Sequence, residues 1–243
     1  MALNMPAAAR AVLGEVVNSF PAPDEKPRAL ARSPEYLFVY CYTWGDNIWR
    51  LNPATGSVVS SFQSPLGVFT TGLSYSWGGN LWIGNWYNNY VYRCAESNGS
   101  IYGSWYAGHK PQGLAVEATG DGGFNPRAIF SSNTSPRRVW RHALTSGSIY
   151  SSFNPSEPIV DIAWDWRNKV VWGGYSSTIY GYRTTGAKVC SFPSPAAQPY
   201  GFTYYGQYLS VSTYENNYIW EIHCPPFDAV APSSIGKIKT LYK

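Results

Sequence analysis

The chain has 243 residues and a mass of 27.0 kDa, enough for one large domain or two small ones with a substantial buried core. Apolar residues make up 44%, aromatics 17% and charged residues only 13%. These fractions exclude a disordered chain and a helical bundle, while 23 glycines, 18 prolines and 20 tyrosines fit an all-β protein with many turns. The net charge of +4 is diffuse: basic residues gather only at Arg137, Arg138 and Arg141 and at Lys237, Lys239 and Lys243, too few for a nucleic-acid footprint.

The opening MALNMPAAARAVLG lacks a charged segment followed by a true apolar segment, so no signal peptide is expected there. No run of about 18 apolar residues occurs anywhere, so no membrane-spanning helix is expected. Residues 1–13 read as an N-terminal extension. The first element is GEVVNSF at 14–20, strand-like but with nothing before it to serve as a hairpin partner.

That heptad recurs as GSVVSSF at 56, GSIYGSW at 99, GSIYSSF at 147 and GAKVCSF at 186, at intervals of 42, 43, 48 and 39 residues. Ahead of the later copies lies a second repeated element: NIWRLNPATG (47–56), YVYRCAESNG (90–99), RVWRHALTSG (138–147) and TIYGYRTTG (178–186). A fifth copy, YIWEIHCPP (218–226), has no heptad in register behind it. Each is preceded by a strand-like run (YLFVYCYTW, NLWIGNWY, RAIFSSN, KVVWGGY, YLSVSTY) and, before that, by PRALARS, TTGLSYSW, PQGLAVEA, IVDIAWDW or PYGFTYYG. Four short strands, a to d, in about 40–45 residues mark a β-propeller blade.

The last unit lacks strand d and the N-terminus has only a d. The spacing therefore predicts a five-bladed propeller with four-stranded antiparallel blades near 27–62, 70–105, 111–153, 158–192 and 199–226, the last completed by residues 14–20. Such closure removes an open sheet edge and two unmated blade faces. Phe20, Phe62, Trp105, Phe153 and Phe192 end strand d; Trp49, Tyr92, Trp140, Tyr180 and Trp220 share one register of strand c. Blade-to-blade packing is expected of both sets. Residues 227–243 read as a tail outside the ring.

On NLWIGNWYNNYVYRCAESNGSIYGSW followed by KPQGLAVEA, the chain resembles propeller repeats of the NHL, YWTD and quinoprotein-like kind over roughly residues 14–226. It carries no YWTD tetrapeptide. A five-bladed ring of this length is similar in size to the tachylectin-type lectins. The resemblance implies the fold, and no site residue is carried over from it.

Propellers place sites on the loops at one end of the channel. Here the d–a and b–c turns share an end. The b–c turns carry Trp44, Trp86, Tyr87, Tyr175 and Tyr214 beside Asp46, Asn88, Asn89, Glu215, Asn216 and Asn217. Aromatic faces next to amides and carboxylates suit sugar rings, and equally a protein partner. The binding set read from the sequence is thus Trp44, Asp46, Trp86, Tyr87, Asn88, Tyr175, Tyr214 and Asn216, with Asp161 as a channel group. A non-catalytic binding propeller for a glycan or protein partner is the expectation. The alternative is a small channel-type hydrolase or lactonase using Asp161, with Glu117 and Asp165 nearby in sequence.

The cysteines Cys41, Cys94, Cys190 and Cys224 form no C-x-x-C pair and read as small buried hydrophobes. His109, His142 and His223 are assigned to different blades. No metal, no cofactor and no catalytic residue is expected, and the protein is read as a monomer, lectin-like, from an extracellular or periplasmic setting.

Overall fold

The computed structural model describes residues 12–43 and 45–227. Trp44, most of the N-terminal extension and most of the C-terminal tail lie outside the described residues. Among the described residues twenty strands form five four-stranded antiparallel sheets, accompanied by two single-turn 3₁₀ segments, Gly67–Phe69 and Asp121–Gly123. Blade 1 comprises β2 (Pro27–Arg32), β3 (Leu37–Cys41), β4 (Asn47–Leu51) and β5 (Val58–Gln63). Blade 2 comprises β6 (Thr70–Ser76), β7 (Asn80–Asn85), β8 (Tyr90–Ala95) and β9 (Ile101–Tyr106). Blade 3 comprises β10 (Gly113–Glu117), β11 (Ala128–Thr134), β12 (Arg137–His142) and β13 (Ile149–Phe153). Blade 4 comprises β14 (Ile162–Asp165), β15 (Val170–Tyr175), β16 (Thr178–Arg183) and β17 (Lys188–Pro193). Blade 5 comprises β18 (Pro199–Tyr205), β19 (Tyr208–Thr213) and β20 (Tyr218–His223), with β1 (Val16–Pro21) as its outer strand. The ring closes as the repeat count requires: β1 runs antiparallel to β20, with Ser19 opposite Trp220 and Phe20 opposite Ile219.

The apolar core is divided into five clusters, one at each junction between neighbouring blades. The junction of blades 4 and 5, for example, packs Trp172, Ile179 and Phe192 against Phe202, Leu209 and Val211. The junction that closes the ring packs Phe20 and Ile219 against Leu30, Leu37, Val39 and Leu51. No blade has a core of its own, so each depends on both neighbours.

The recurring heptad has a specific geometric reason. Its glycine stands in the c–d turn with φ between 70° and 89° in all five copies, a left-handed conformation that favours glycine. Each of these glycines lies under the aromatic residue that ends strand d of the preceding blade. A Cβ on Gly56 would stand 2.4 Å from the Phe20 ring, and one on Gly147 would stand 2.4 Å from Trp105. Gly99 meets Phe62, Gly186 meets Phe153, and Gly14 meets Phe192 in the same way. The first and last residues of a heptad therefore never serve each other; each serves the adjoining blade.

Just beyond the glycine, every c–d pair carries one register shift, at Val16/Asn18, Arg50/Leu51, Arg93/Cys94, Arg141/His142 and Gly181/Tyr182. A bulge at this place adds twist to the outer strand. The strand-d aromatics are buried except Phe62, which is half-buried, whereas only Trp140 of the strand-c set is fully buried. The outer part of each blade is covered on one face at most, and the Val58-Val59 and Ile149-Tyr150 pairs of strand d are exposed. All four cysteines are free; Cys41, Cys94 and Cys224 are buried and Cys190 is half-buried.

Removing residues 14–20 strips the outer strand from blade 5 and uncovers Ile219 and Leu30. The expected result is a protein that aggregates, read by light scattering and size exclusion. The point variant Gly56→Ala should stay folded but lose about 1–3 kcal/mol of stability in urea titration, from overpacking against Phe20 and the left-handed backbone. An unchanged midpoint would contradict the seating of Phe20 on Gly56.

Candidate functional site

The innermost strands follow one pattern: Pro27-Arg28-Ala29-Leu30-Ala31, Thr70-Thr71-Gly72-Leu73-Ser74, Pro111-Gln112-Gly113-Leu114-Ala115, Ile159-Val160-Asp161-Ile162-Ala163 and Pro199-Tyr200-Gly201-Phe202-Thr203. The third position faces the neighbouring innermost strand across a very short gap. A Cβ on Gly72 would lie 2.8 Å from the Leu114 nitrogen, and one on Gly113 would lie 2.5 Å from the Asp161 Cα. Small residues are what this narrow ring requires at four of the five places.

Asp161 is the exception, and it is fully buried. Its Oδ1 accepts from the Leu114 N–H of blade 3 at 3.2 Å and its Oδ2 from the Phe202 N–H of blade 5 at 2.9 Å. The Ile162 amide adds a third N–H. The carboxylate thus ties three innermost strands together. Burial pushes its pKa up, against the pull of the three amides and of the more distant Arg28 guanidinium. Every oxygen is engaged within the fold, which suits a structural staple.

One end of the channel is shut. The loop 118–127, the long a–b connection of blade 3, crosses beneath the ring and reaches all four other blades. Asp121 accepts from Trp166 Nε1 at 2.7 Å, from Gly206 N at 2.8 Å and from Arg167 Nη2 at 3.4 Å. Gly123 carbonyl accepts from Trp77 N at 3.1 Å, and Gly122 sits against Pro34. Between this loop and the innermost strands about 30 Å³ remains, room for little more than one water.

The other end is open. A cavity of about 290 Å³ occupies the channel mouth on the side of the d–a and b–c turns. Its lining contains the whole second position of the innermost strands, Arg28, Thr71, Gln112, Val160 and Tyr200, together with Thr134, Pro158 and Tyr175. This position was legible in principle. Five equivalent residues that differ completely, set among neighbours that repeat, mark a place where the fold imposes nothing.

The sequence-derived site residues distribute unevenly about this mouth. Tyr175 lines it, and Tyr214 packs on Tyr200 with ring centroids 4.9 Å apart. Tyr87 is 71% exposed and stacks on Phe69 at 4.7 Å. Trp86 lies under Lys110, whose Nζ is 4.8 Å from the ring centre. These two belong to the blade 2 rim. The polar members build turns: Asn88 donates to Tyr92 Oη at 2.7 Å and accepts from Tyr90 N, Asn216 accepts from the Thr213 hydroxyl, and Asp46 accepts from Tyr40 Oη at 3.3 Å. Trp44 lies outside the described residues.

The carboxylates of the hydrolase alternative do not converge. Glu117 pairs with Arg141, while Asp165 accepts from Arg167 N, Asn168 N, Asn168 Nδ2 and Trp172 Nε1 in the a–b turn of blade 4. Among the described residues no three His, Cys, Asp or Glu side chains cluster as metal ligands would.

One constellation escaped the sequence reading. His109, from the loop between blades 2 and 3, and His142, from β12, meet on the two sides of Ser131: Oγ lies 2.8 Å from His109 Nε2 and 2.9 Å from His142 Nε2. Both Nδ1 atoms face carbonyls, of Ala107 and Gly147, at 2.9 Å. The His109 ring stacks on Trp140 at 3.6 Å. Burial, helped by the neighbouring His142, pushes the His109 imidazole down to about 4, and burial lowers His142 as well. The two residues lie 33 positions apart in sequence, and no spacing rule joins them.

No family model matches the chain, and no curated protein matches it. Among solved structures it is similar to the Myxococcus xanthus glutaminyl cyclase, with a TM-score of 0.70 and 13% identity over 87% of this chain and 96% of that one. It is also similar to the virginiamycin B lyase of Staphylococcus aureus, with a TM-score of 0.50 and 17% identity over 84% of this chain and 68% of that one. At these identities the likeness is one of fold. The chain is a five-bladed propeller.

Two expectations follow from the buried groups. Asp161→Ala leaves the Leu114 and Phe202 amides without an acceptor, so stability should fall by about 1–3 kcal/mol for each buried donor left unpaired, measured by urea denaturation; a neutral result would contradict the staple. His109 is neutral in the fold down to about pH 4, whereas an unfolded chain takes up this proton near 6.5. Its contribution to stability is complete above pH 6.5 and is lost as pH falls through 4. The melting temperature of the wild type should therefore drop more steeply between pH 7 and 4 than that of His109→Gln.

Proposed function

We propose that this protein is a non-catalytic binding propeller that holds a glycan at its channel mouth, with the b–c aromatics as flanking contacts. The observation that carries this reading is the single-ended cavity of about 290 Å³, walled by Tyr175 and Tyr200 and by hydrogen-bonding side chains. Its volume lies near the lower end of small-ligand pockets and suits one ring-sized group. Tyrosine rings offer faces to sugar C–H groups, and Gln112, Arg28 and the tyrosine hydroxyls offer donors to sugar oxygens. A monomer working outside the cytoplasm completes the proposal.

Support for a catalytic alternative comes from the two structural neighbours, which are a cyclase and a lyase by name. In that reading Asp161 or a rim carboxylate acts on the bound ligand. The commitment of Asp161 to three amides favours binding.

The test is a glycan-array screen of the wild type beside a Tyr175→Ala/Tyr200→Ala variant that keeps its melting temperature. Glycan binding that disappears in the variant supports the reading. Turnover of a bound glycan by the wild type supports the catalytic alternative, and an array with no signal from the wild type overturns the glycan assignment.

A further inference from the structure

The hydrogen-bonding capacity of the channel mouth is lopsided. Thr71 spends its hydroxyl proton on the Pro111 carbonyl at 2.7 Å. The Thr134 amide and hydroxyl both donate to Gln112 Oε1, at 2.7 and 2.8 Å, which occupies that acceptor and leaves the Gln112 NH₂ group. Arg28 makes no ion pair and no side-chain hydrogen bond with the described residues; its guanidinium lies 5.2 Å from the centre of the Tyr42 ring. Among the described residues no carboxylate lines the cavity. The channel carboxylate Asp161 is buried and held by backbone amides. What the cavity presents is therefore one unpaired guanidinium with five N–H donors, an amide NH₂ and two tyrosine hydroxyls.

A neutral ligand would leave that guanidinium with only the distant, buried Asp161 to offset its charge on closing the mouth, which is unfavourable. We infer that the site selects an anion, and that the group it takes is the carboxylate of an acidic sugar residue lying against Arg28. This rests on the glycan-binding reading above and narrows it. A single arginine flanked by neutral donors matches a monoanion in the two-pronged geometry that guanidinium and carboxylate share. A phosphate carries more negative charge than one guanidinium balances. A bare carboxylate would leave most of the 290 Å³ empty, whereas a sugar ring would fill the space between Tyr175, Tyr200 and the apolar Val160 and Pro158 wall.

The experiment is isothermal titration of the full chain with four probes: an oligosaccharide of uronic acid, its neutral counterpart of the same linkage, inorganic phosphate and an Asp/Glu-rich peptide. The expected result is binding of the uronate at least about tenfold tighter than of the neutral sugar, weakened by salt and reduced about tenfold or more in Arg28→Gln, with Arg28→Lys between the two. Equal affinity for acidic and neutral sugars overturns the anion inference and leaves the glycan reading standing. Tightest binding of phosphate or of the peptide overturns the sugar carboxylate, and no binding of either oligosaccharide overturns it together with the glycan reading. Should Arg28→Gln fail to fold, the acidic-to-neutral ratio and its salt dependence in the wild type decide the matter alone.

Discussion

The ring is held by an aromatic ring resting on a glycine. At all five junctions the side chain that ends one outer strand sits where the next blade's c–d turn has no Cβ. The turn must be left-handed to bring its backbone under the ring, and only glycine meets both conditions without strain. Because each heptad carries a seating glycine at one end and a seated aromatic at the other, every blade is at once donor and receiver. The sheet closed by β1 is subject to the same rule, since Gly14 seats Phe192 of blade 4 and Phe20 is seated by Gly56 of blade 1. The apolar clusters follow from this arrangement, for they fill the wedges that the five seated aromatics define.

A second constraint acts at the centre. Five innermost strands enclose a channel so tight that the inward position tolerates little more than hydrogen or methyl: Ala29, Gly72, Gly113 and Gly201. Asp161 is accommodated because the facing Gly113 has no Cβ, which would stand 2.6 Å from Oδ1, and because its oxygens accept from the amides of adjacent blades. Asp121 performs a related task at the shut end, where its two oxygens gather Trp166, Arg167 and Gly206 from blades 4 and 5. Two buried or half-buried acids thus serve as fasteners, one in the channel and one under it. Neither contributes to the open mouth.

The architecture was readable in the chain because each repeat must satisfy the same neighbours, so glycine, aromatic and alternation recur in register. The partnership of Phe20 with Gly56 was hidden, since a heptad read alone suggests that its own ends belong together. The mouth was half visible. The aromatics Tyr175 and Tyr214 stood out because rings in turns are unexpected, whereas Asn88, Asn216 and Asp46 looked available for a ligand but are consumed in shaping their own turns. Arg28, Gln112 and Tyr200 carry no signal as single residues; their meaning lies in being the variable column of an otherwise repetitive strand. His109 and His142 were unreadable as a pair because a loop and a strand from distant positions bring them to one serine.

The loop under the ring turns what is often a tunnel into a cul-de-sac. With Asp121, Gly122 and Gly123 bridging to the other four blades, nothing can thread the molecule from face to face. Whatever enters the mouth can leave only by the same doorway. For the glycan proposed above, such a mouth would favour a chain end or a branch over an interior stretch.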